Sequence, residues 1–322
     1  MSDPIDTLVT VFGGSGFLGR NVIRVLAREG FRIRAAVRRP DLAGHLQPLG
    51  KVGQIMPVQA NLRYPQSVAA AMRGAHIAIN LVGILAPSGR QTFDAVQARG
   101  AGTVADAAAA AGVRLIHVSA LGADADSPSL YARSKAAGEA AVRAAVPEAV
   151  IFRPSVVFGP DDQFTNRFAA LARVSPVLPL IGGGATRMQP VFVGDVALAI
   201  AAAVTDRTRA GATYELGGPE TMTMREILAF ILRTTGRDRA LVSLPFALAR
   251  LQAYLLQFAP QPFTLTPDQV TLLEADNVVS EAAKAAGLTL DGLGIVPEAM
   301  AAIAPSYLWR FRRAGQFQRL SV

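Results

Sequence analysis

The sequence predicts an α/β protein built on a doubly wound parallel sheet, with a smaller C-terminal cap region. Three observations predict it. Short β-branched runs alternate with alanine-rich stretches through the first half, a glycine-spaced turn joins the first such pair, and the alternation fails after Gly159. Strands separated by helices imply right-handed βαβ units and a parallel sheet covered on both faces.

The strands fall at residues 8–12, 32–37, 54–59, 77–81, 114–119 and 150–153, with crossover helices at 22–29, 65–72, 94–111 and 134–146. Beyond Gly159, turn-rich pieces such as Pro176-Val177-Leu178-Pro179 and Gly182-Gly183-Gly184 open a second region. One later βα unit, residues 190–196 followed by an alanine-rich helix, is expected to return to the main sheet. The domain reading is therefore 1–159 with 186–204 returning, and 160–185 with 205–322 as a cap or partner-binding region.

With 322 residues, 51% of them apolar, the chain can bury a sizeable core. It has no cysteine, which excludes disulfides, thiolate metal sites and cysteine nucleophiles, and its three histidines, His45, His76 and His117, lack ligand spacing. Metal chemistry is not expected. The net charge of +8 suits an anionic cofactor, an acidic partner or an anionic membrane surface. Nucleic acid is not expected, because the arginines are dispersed and no groove-reading module is recognisable.

The opening Met1-Ser2-Asp3-Pro4-Ile5-Asp6 is acidic and runs into the first strand, unlike a secretory signal or transit peptide. No window reaches the roughly 18 uninterrupted apolar residues of a spanning helix. The apolar stretch at 241–264 is broken by Pro245, Arg250, Gln252 and Gln257.

Gly13, Gly16 and Gly19 follow the first strand directly and open an amphipathic helix. That arrangement aims backbone N–H groups and the helix dipole at a phosphate, so residues 13–19 are read as the pyrophosphate loop of a Rossmann-type dinucleotide site. The second strand ends in Arg38-Arg39, where an NAD site would carry an acidic residue for the ribose 2′-hydroxyl. Two arginines favour a 2′-phosphate and hence NADPH; the alternative is a solvated basic turn before Pro40.

Further motifs stand in order: Asn80-Leu81-Val82-Gly83, His117-Val118-Ser119, Tyr131-Ala132-Arg133-Ser134-Lys135, Arg153-Pro154-Ser155 with Phe158-Gly159, and Val193-Gly194-Asp195-Val196-Ala197. Together with the glycine loop they resemble the short-chain dehydrogenase/reductase superfamily in its extended and atypical branch, which includes NAD-dependent epimerases and dehydratases. The resemblance implies that Tyr131 acts as general acid or base and Lys135 holds the ribose, if the chain is active. It also implies cofactor contacts from Gly13, Ser15, Gly16, Phe17, Leu18, Gly19, Arg38, Arg39, Asn61, Leu62, Val82, Gly83, Ser119, Tyr131, Lys135 and Pro154. Registered against the superfamily's serine-rich strand end, the substrate-orienting hydroxyl falls at Ala120, which has none; a shift of one residue places Ser119 there instead. The first register argues for retained cofactor binding without turnover.

Within that superfamily the chain resembles the nucleotide-binding accessory subunits of respiratory complex I. The likeness is carried by Val11-Phe12 through Arg20, Gln47-Pro48-Leu49-Gly50, Gly138-Glu139, Asp162 with Phe164 and Phe168, Gln189-Pro190-Val191-Phe192, Leu293-Gly294-Ile295 and Tyr307-Leu308-Trp309-Arg310. It implies a tightly held NADPH, complex I subunits as partners, and a peripheral place beside the membrane and quinone region. The lack of a transit peptide points to the cytoplasmic face of a bacterial inner membrane. An apolar helix around Leu244 to Phe258 and the tail from Tyr307 to Arg313, where aromatics alternate with arginines, suit a partner or an anionic membrane surface; an internally buried helix and a solvated tail are the alternative. The competing functional readings are a soluble NADPH-dependent reductase, an epimerase or dehydratase, and a redox-sensing regulator.

Overall fold

The computed structural model describes residues 4–205, 207–260 and 262–317, so the first three residues of the N-terminal reading lie outside the described part. The chain divides into two compact units. The first runs to Pro154 and adds Gly194–Leu216 and Glu281–Ile295. The second comprises Ser155–Val193, Gly217–Ser280 and the chain from Val296.

The first unit is a seven-stranded parallel sheet. Its strands are β1 (Leu8–Phe12), β2 (Arg32–Val37), β3 (Ile55–Gln59), β4 (Ile77–Asn80), β5 (Arg114–Val118), β6 (Val150–Pro154) and β7 (Thr213–Leu216). They lie in the order β7-β6-β5-β4-β1-β2-β3, every neighbouring pair parallel. The order reverses between β1 and β4, the crevice where open α/β sheets bind dinucleotides. Helices α1 (Phe17–Arg28), α2 (Pro65–Met72), α3 (Arg99–Ala111), α4 (Leu130–Ala145) and α5 (Val193–Val204) accompany the sheet. All four β4 residues are buried, as expected of a central strand covered on both faces. Amphipathic α1 turns Val22, Ile23, Leu26 and Ala27 inward.

The strand expected to return to this sheet does not. Val191–Phe192 pairs with Val157–Phe158 in a two-stranded parallel ladder inside the second unit, and the sheet is completed by β7, which pairs with β6. The helix starts four residues sooner than the sequence reading placed it, at Val193, so the run 191–196 is mostly helix. Periodicity cannot separate the two over so few residues. The N–H of Glu215 in β7 donates to Leu288 O at 2.9 Å, which ties 281–295 to the first unit rather than to the cap.

In the second unit Val177–Ile181 pairs in parallel with Ala240–Leu244, and the helix Met224–Thr235 starts from a Thr223/Glu226 capping box. Its core gathers Phe158, Leu178, Leu180, Ile227, Ile231, Tyr307 and Leu308. The tail is thus folded in. The Tyr307 hydroxyl donates to buried Asp162 Oδ2 at 3.2 Å, Arg310 donates to Pro160 O and Asn166 Oδ1 at 2.7 Å each, and Arg312 donates to Thr234 O at 2.9 Å. Burial beside the Asp162 carboxylate pushes the Tyr307 phenol far up. The tail from Tyr307 to Arg312 is therefore a docked segment rather than a wholly solvated strip, with Tyr307 and Leu308 buried and Trp309 and Arg310 exposed.

The helix Phe246–Leu256 forms with Pro245 at its N-cap, as the sequence predicts. It buries Ala249 and Ala253, while Leu251, Leu255 and the following Phe258 stay 66%, 78% and 85% exposed. Among the described residues no helix is long and apolar enough to cross a membrane.

Candidate functional site

Every residue of the candidate cofactor site belongs to the first unit. Gly13 takes φ +80°, a conformation L side chains rarely adopt, and its N–H donates to Ala36 O at 3.0 Å. Gly16 caps α1 with no side-chain bond, and the first hydrogen bond of the helix runs from Arg20 N to Gly16 O. The first-turn N–H groups of α1 are thus directed at whatever anion lies beyond the loop. Gly19 has no room for a side chain: a Cβ there would press on the Gly13 carbonyl oxygen and lie 2.7 Å from Gly14 Cα. The loop also meets the end of β4, where a Cβ on Gly13 would come within 3.2 Å of Val82 Cγ2.

Across the crevice α4 starts at a Ser129 cap, whose side chain accepts the Ala132 N–H. Tyr131 and Lys135 lie one turn apart on this helix, and the ammonium sits 5.9 Å from the centre of the Tyr131 ring. Phe93 packs edge-on against that ring, centroids 5.8 Å apart. Buried Lys135 donates to Val118 O at 3.3 Å, and a Cβ on Gly83 would stand 3.3 Å from its Nζ. The sequence-predicted residues Gly83, Tyr131 and Lys135 therefore converge.

Gln97, which no motif singled out, stitches them together. Its carbonyl oxygen accepts the Ile84 N–H at 3.0 Å, and its amide donates to Ser134 Oγ at 2.8 Å. It lies in a π-helical turn, Asp94–Ala98, where the sequence reading had one continuous α-helix from 94 to 111. Such turns often mark functional sites but leave no compositional trace. Gly138 lets α4 approach this turn, since a Cβ there would collide with Gln97 O.

Burial lowers the Lys135 pKa to about 8, against an opposing pull from the Glu139 carboxylate. Glu139 is itself gripped by Arg153, Nε to Oε1 at 2.9 Å and Nη2 to Oε2 at 2.6 Å. Lysine in an unfolded chain stays protonated up to about pH 10.4, so between about pH 8 and 10.4 the unfolded state binds more protons than the folded one. Stability then rises with pH across that window. In urea denaturation of the nucleotide-free protein, wild type is expected to gain on Lys135→Met between about pH 8 and pH 10. A pH-independent gap would mean that Lys135 keeps its proton throughout.

Along the end of β5 the Ser119 N–H donates to Phe152 O at 2.7 Å and the Leu121 N–H to Pro154 O at 3.0 Å. Ser119 is 3% exposed and its hydroxyl has no hydrogen-bond partner among the described residues, whereas Ala120 is half-buried. Asn80 donates to His117 Nδ1 at 3.2 Å, and burial near Lys135 and Arg143 lowers the pKa of that ring to about 3. His117 is thus a neutral core histidine.

At the other end of the crevice, Arg38 donates to Gln91 Oε1. Arg39 instead forks onto Asp41, Nε to Oδ1 at 3.0 Å and Nη2 to Oδ2 at 2.7 Å, so the two arginines are not brought together on one point. Asn61 shapes the turn after β3, accepting the Arg63 N–H on its side chain at 3.1 Å. Leu62 lines a groove of about 380 Å³ with Arg63, Arg90, Ala95, Arg99 and Thr103. The glycine cradle, the directed helix terminus and the unpartnered Ser119 hydroxyl fit a bound dinucleotide. Among the described residues no cluster suited to a metal ion occurs.

Residues 9–217 match the profile of the NAD dependent epimerase/dehydratase family. The chain is 36% identical over 320 residues to the mitochondrial NADH dehydrogenase [ubiquinone] 1 alpha subcomplex subunit 9 of Arabidopsis thaliana, covering 96% of this chain and 79% of that protein. It is 38% identical over 195 residues to a ceramide reductase of Caulobacter vibrioides, covering 61% of this chain and 60% of that protein. The NADPH-dependent quinone oxidoreductase of Escherichia coli, solved with NADPH, shares the fold: TM-score 0.71 at 21% identity, over 94% of this chain and 99% of the other.

Proposed function

This chain belongs to the NAD dependent epimerase/dehydratase family, and from that premise we propose that it is a nucleotide-binding accessory subunit of respiratory complex I. It holds NADPH as a structural group and supports assembly and stability of the peripheral arm beside the membrane and quinone region. The cytoplasmic face of a bacterial inner membrane is its place. The observation that carries this reading is the likeness to the plant complex I subunit over 96% of the chain, which reaches far beyond the shared cofactor motifs.

Two features of the molecule support it. The glycine loop at the start of α1 and the Tyr131–Lys135 pair suit a held nucleotide, while at the end of β5 Ala120, half-buried, carries no hydroxyl and the Ser119 hydroxyl is buried without a partner among the described residues. Bound NADPH supplies a hydride donor; without an orienting hydroxyl the site lowers turnover by about 100-fold, by analogy with loss of an oxyanion donor. The exposed face of Phe246–Leu256 is a contiguous apolar ridge of the kind that marks a partner or membrane contact. Tagged protein purified from its native membranes is expected to bring down complex I subunits and stoichiometric NADPH, and Leu251→Ser with Leu255→Ser to lose the subunits while keeping the nucleotide. Recovery of the wild-type protein alone, with complex I intact after deletion of its gene, would remove the proposal.

A second reading, a soluble NADPH-dependent reductase, is favoured by the intact Tyr131–Lys135 pair and the partial likeness to the ceramide reductase. Steady turnover abolished in Tyr131→Phe would establish it.

A further inference from the structure

The two arginines read as 2′-phosphate ligands are unequally available. Arg39 has its fork committed to the Asp41 carboxylate through three hydrogen bonds. Arg38 instead reaches away from that pair to Gln91, 53 residues on, at the end of the loop that follows β4. That loop is a defined device: Ser88 and Gln91 exchange both backbone hydrogen bonds at 3.0 Å, and Gly89 takes φ +53°, so Arg90 rides at the tip of a tight turn.

Arg90 is exposed and, among the described residues, its guanidinium makes no hydrogen bond or ion pair. It lines the groove above Leu62 together with Arg63 and Arg99. Those two have other engagements: Arg99 pairs with Asp94 at 2.7 Å, and Arg63 stacks 5.7 Å from the centre of the Tyr64 ring. One uncommitted guanidinium thus stands next in sequence to Gln91, the residue that holds Arg38, and beside Leu62, which follows β3.

We propose that Arg90 is the second 2′-phosphate ligand beside Arg38, that Gln91 is the positioning residue aiming Arg38, and that Arg39 takes no part. This rests on the NADPH reading above and deepens it. Two guanidiniums delivered from separate segments, the end of β2 and the 88–91 turn, close on the phosphate from two sides. Arg39, lying next to Arg38 on one strand end and neutralised by Asp41, does not. A phosphate between Arg38 and Arg90 also ties the turn to the sheet, so that the nucleotide itself holds the loop following β4 in place.

The test is calorimetric titration of the intact, nucleotide-stripped chain with 2′,5′-ADP and with 5′-AMP, reading the ratio of the two dissociation constants. Damage to the fold weakens both ligands together and leaves the ratio alone. Arg90→Ala is expected to lower the ratio roughly tenfold, Gln91→Ala roughly threefold, and Arg39→Ala not at all. Arg90→Lys keeps the charge without the fork and should fall between wild type and Arg90→Ala. A ratio that collapses in Arg39→Ala and survives in Arg90→Ala overturns the assignment while leaving NADPH in place. A wild-type ratio near one overturns both, because the chain then does not recognise a 2′-phosphate.

Discussion

Gly19→Val is expected to weaken NADPH binding by about 100-fold or more while the sheet still forms. The position is the third residue of α1, and its missing side chain is what lets the helix start directly on the Gly13-Gly14 backbone. A Cβ there meets backbone atoms of both Gly13 and Gly14, so the strain cannot be relieved by turning a neighbouring side chain. The helix must tilt or slide away, and its first-turn N–H groups move off the pyrophosphate. Two charge-assisted hydrogen bonds at about 1.5 kcal/mol each amount to about 3 kcal/mol, roughly 100-fold in affinity. Gly14→Ala is the graded comparison. Its nearest obstacle is the end of the Ile23 side chain at 2.8 Å, which can rotate, and a smaller loss is expected. Gly44→Ala, with nothing within 4 Å, should bind as wild type does. Wild-type affinity in Gly19→Val, measured by the fluorescence of bound NADPH, would mean the phosphates are not held at this helix.

The legible part of the molecule was that written in local pattern. All six predicted strands of the main sheet lie within one residue of their expected ends, because a buried parallel strand must be a short apolar run and its crossover must be helical. The glycine loop was legible for the same reason: each glycine answers a constraint set by its immediate neighbours. What escaped the sequence depends on partners far along the chain. The seventh strand, Thr213–Leu216, is a short run whose partner β6 lies some 60 residues earlier, and Val191–Phe192 was assigned to the wrong sheet because apolar content does not say which edge a strand joins. Gln91 and Gln97 are ordinary glutamines in sequence, and they become site residues only when folding brings Arg38 and Ser134 to them. Arg39 is the converse: its position implies a phosphate ligand, and the fork lies on the Asp41 carboxylate two residues on, a pairing that its place after the second strand does not announce. The docking of the tail was not legible either, since composition does not say that Arg310 and Arg312 bond carbonyls of their own unit.

The second large effect is expected at Glu139, a residue the resemblance names without a role. Its carboxylate, 7% exposed, serves two cations at once: it accepts both arms of Arg153 from β6, and it opposes the loss of the Lys135 proton one turn back on α4. Glu139→Gln removes the charge and keeps the shape. Breaking a buried ion pair from one side costs about 3 to 5 kcal/mol, and the lower end applies here because Arg153 keeps 28% exposure and has Glu215 nearby. Lys135 meanwhile loses the carboxylate that favours its charged form, so its pKa falls below about 8. If the charged ammonium holds the ribose, NADPH affinity drops as pH rises through that pKa, and in Glu139→Gln the drop comes at lower pH. A purely structural clamp predicts the stability loss with an unmoved pH profile. Adding Arg153→Met separates the two roles. It removes the stranded guanidinium and should return much of the stability, but it gives Lys135 no counter-charge, so the shifted profile should persist in the double variant. A profile that returns to wild type along with the stability would show that Glu139 acts on the fold alone.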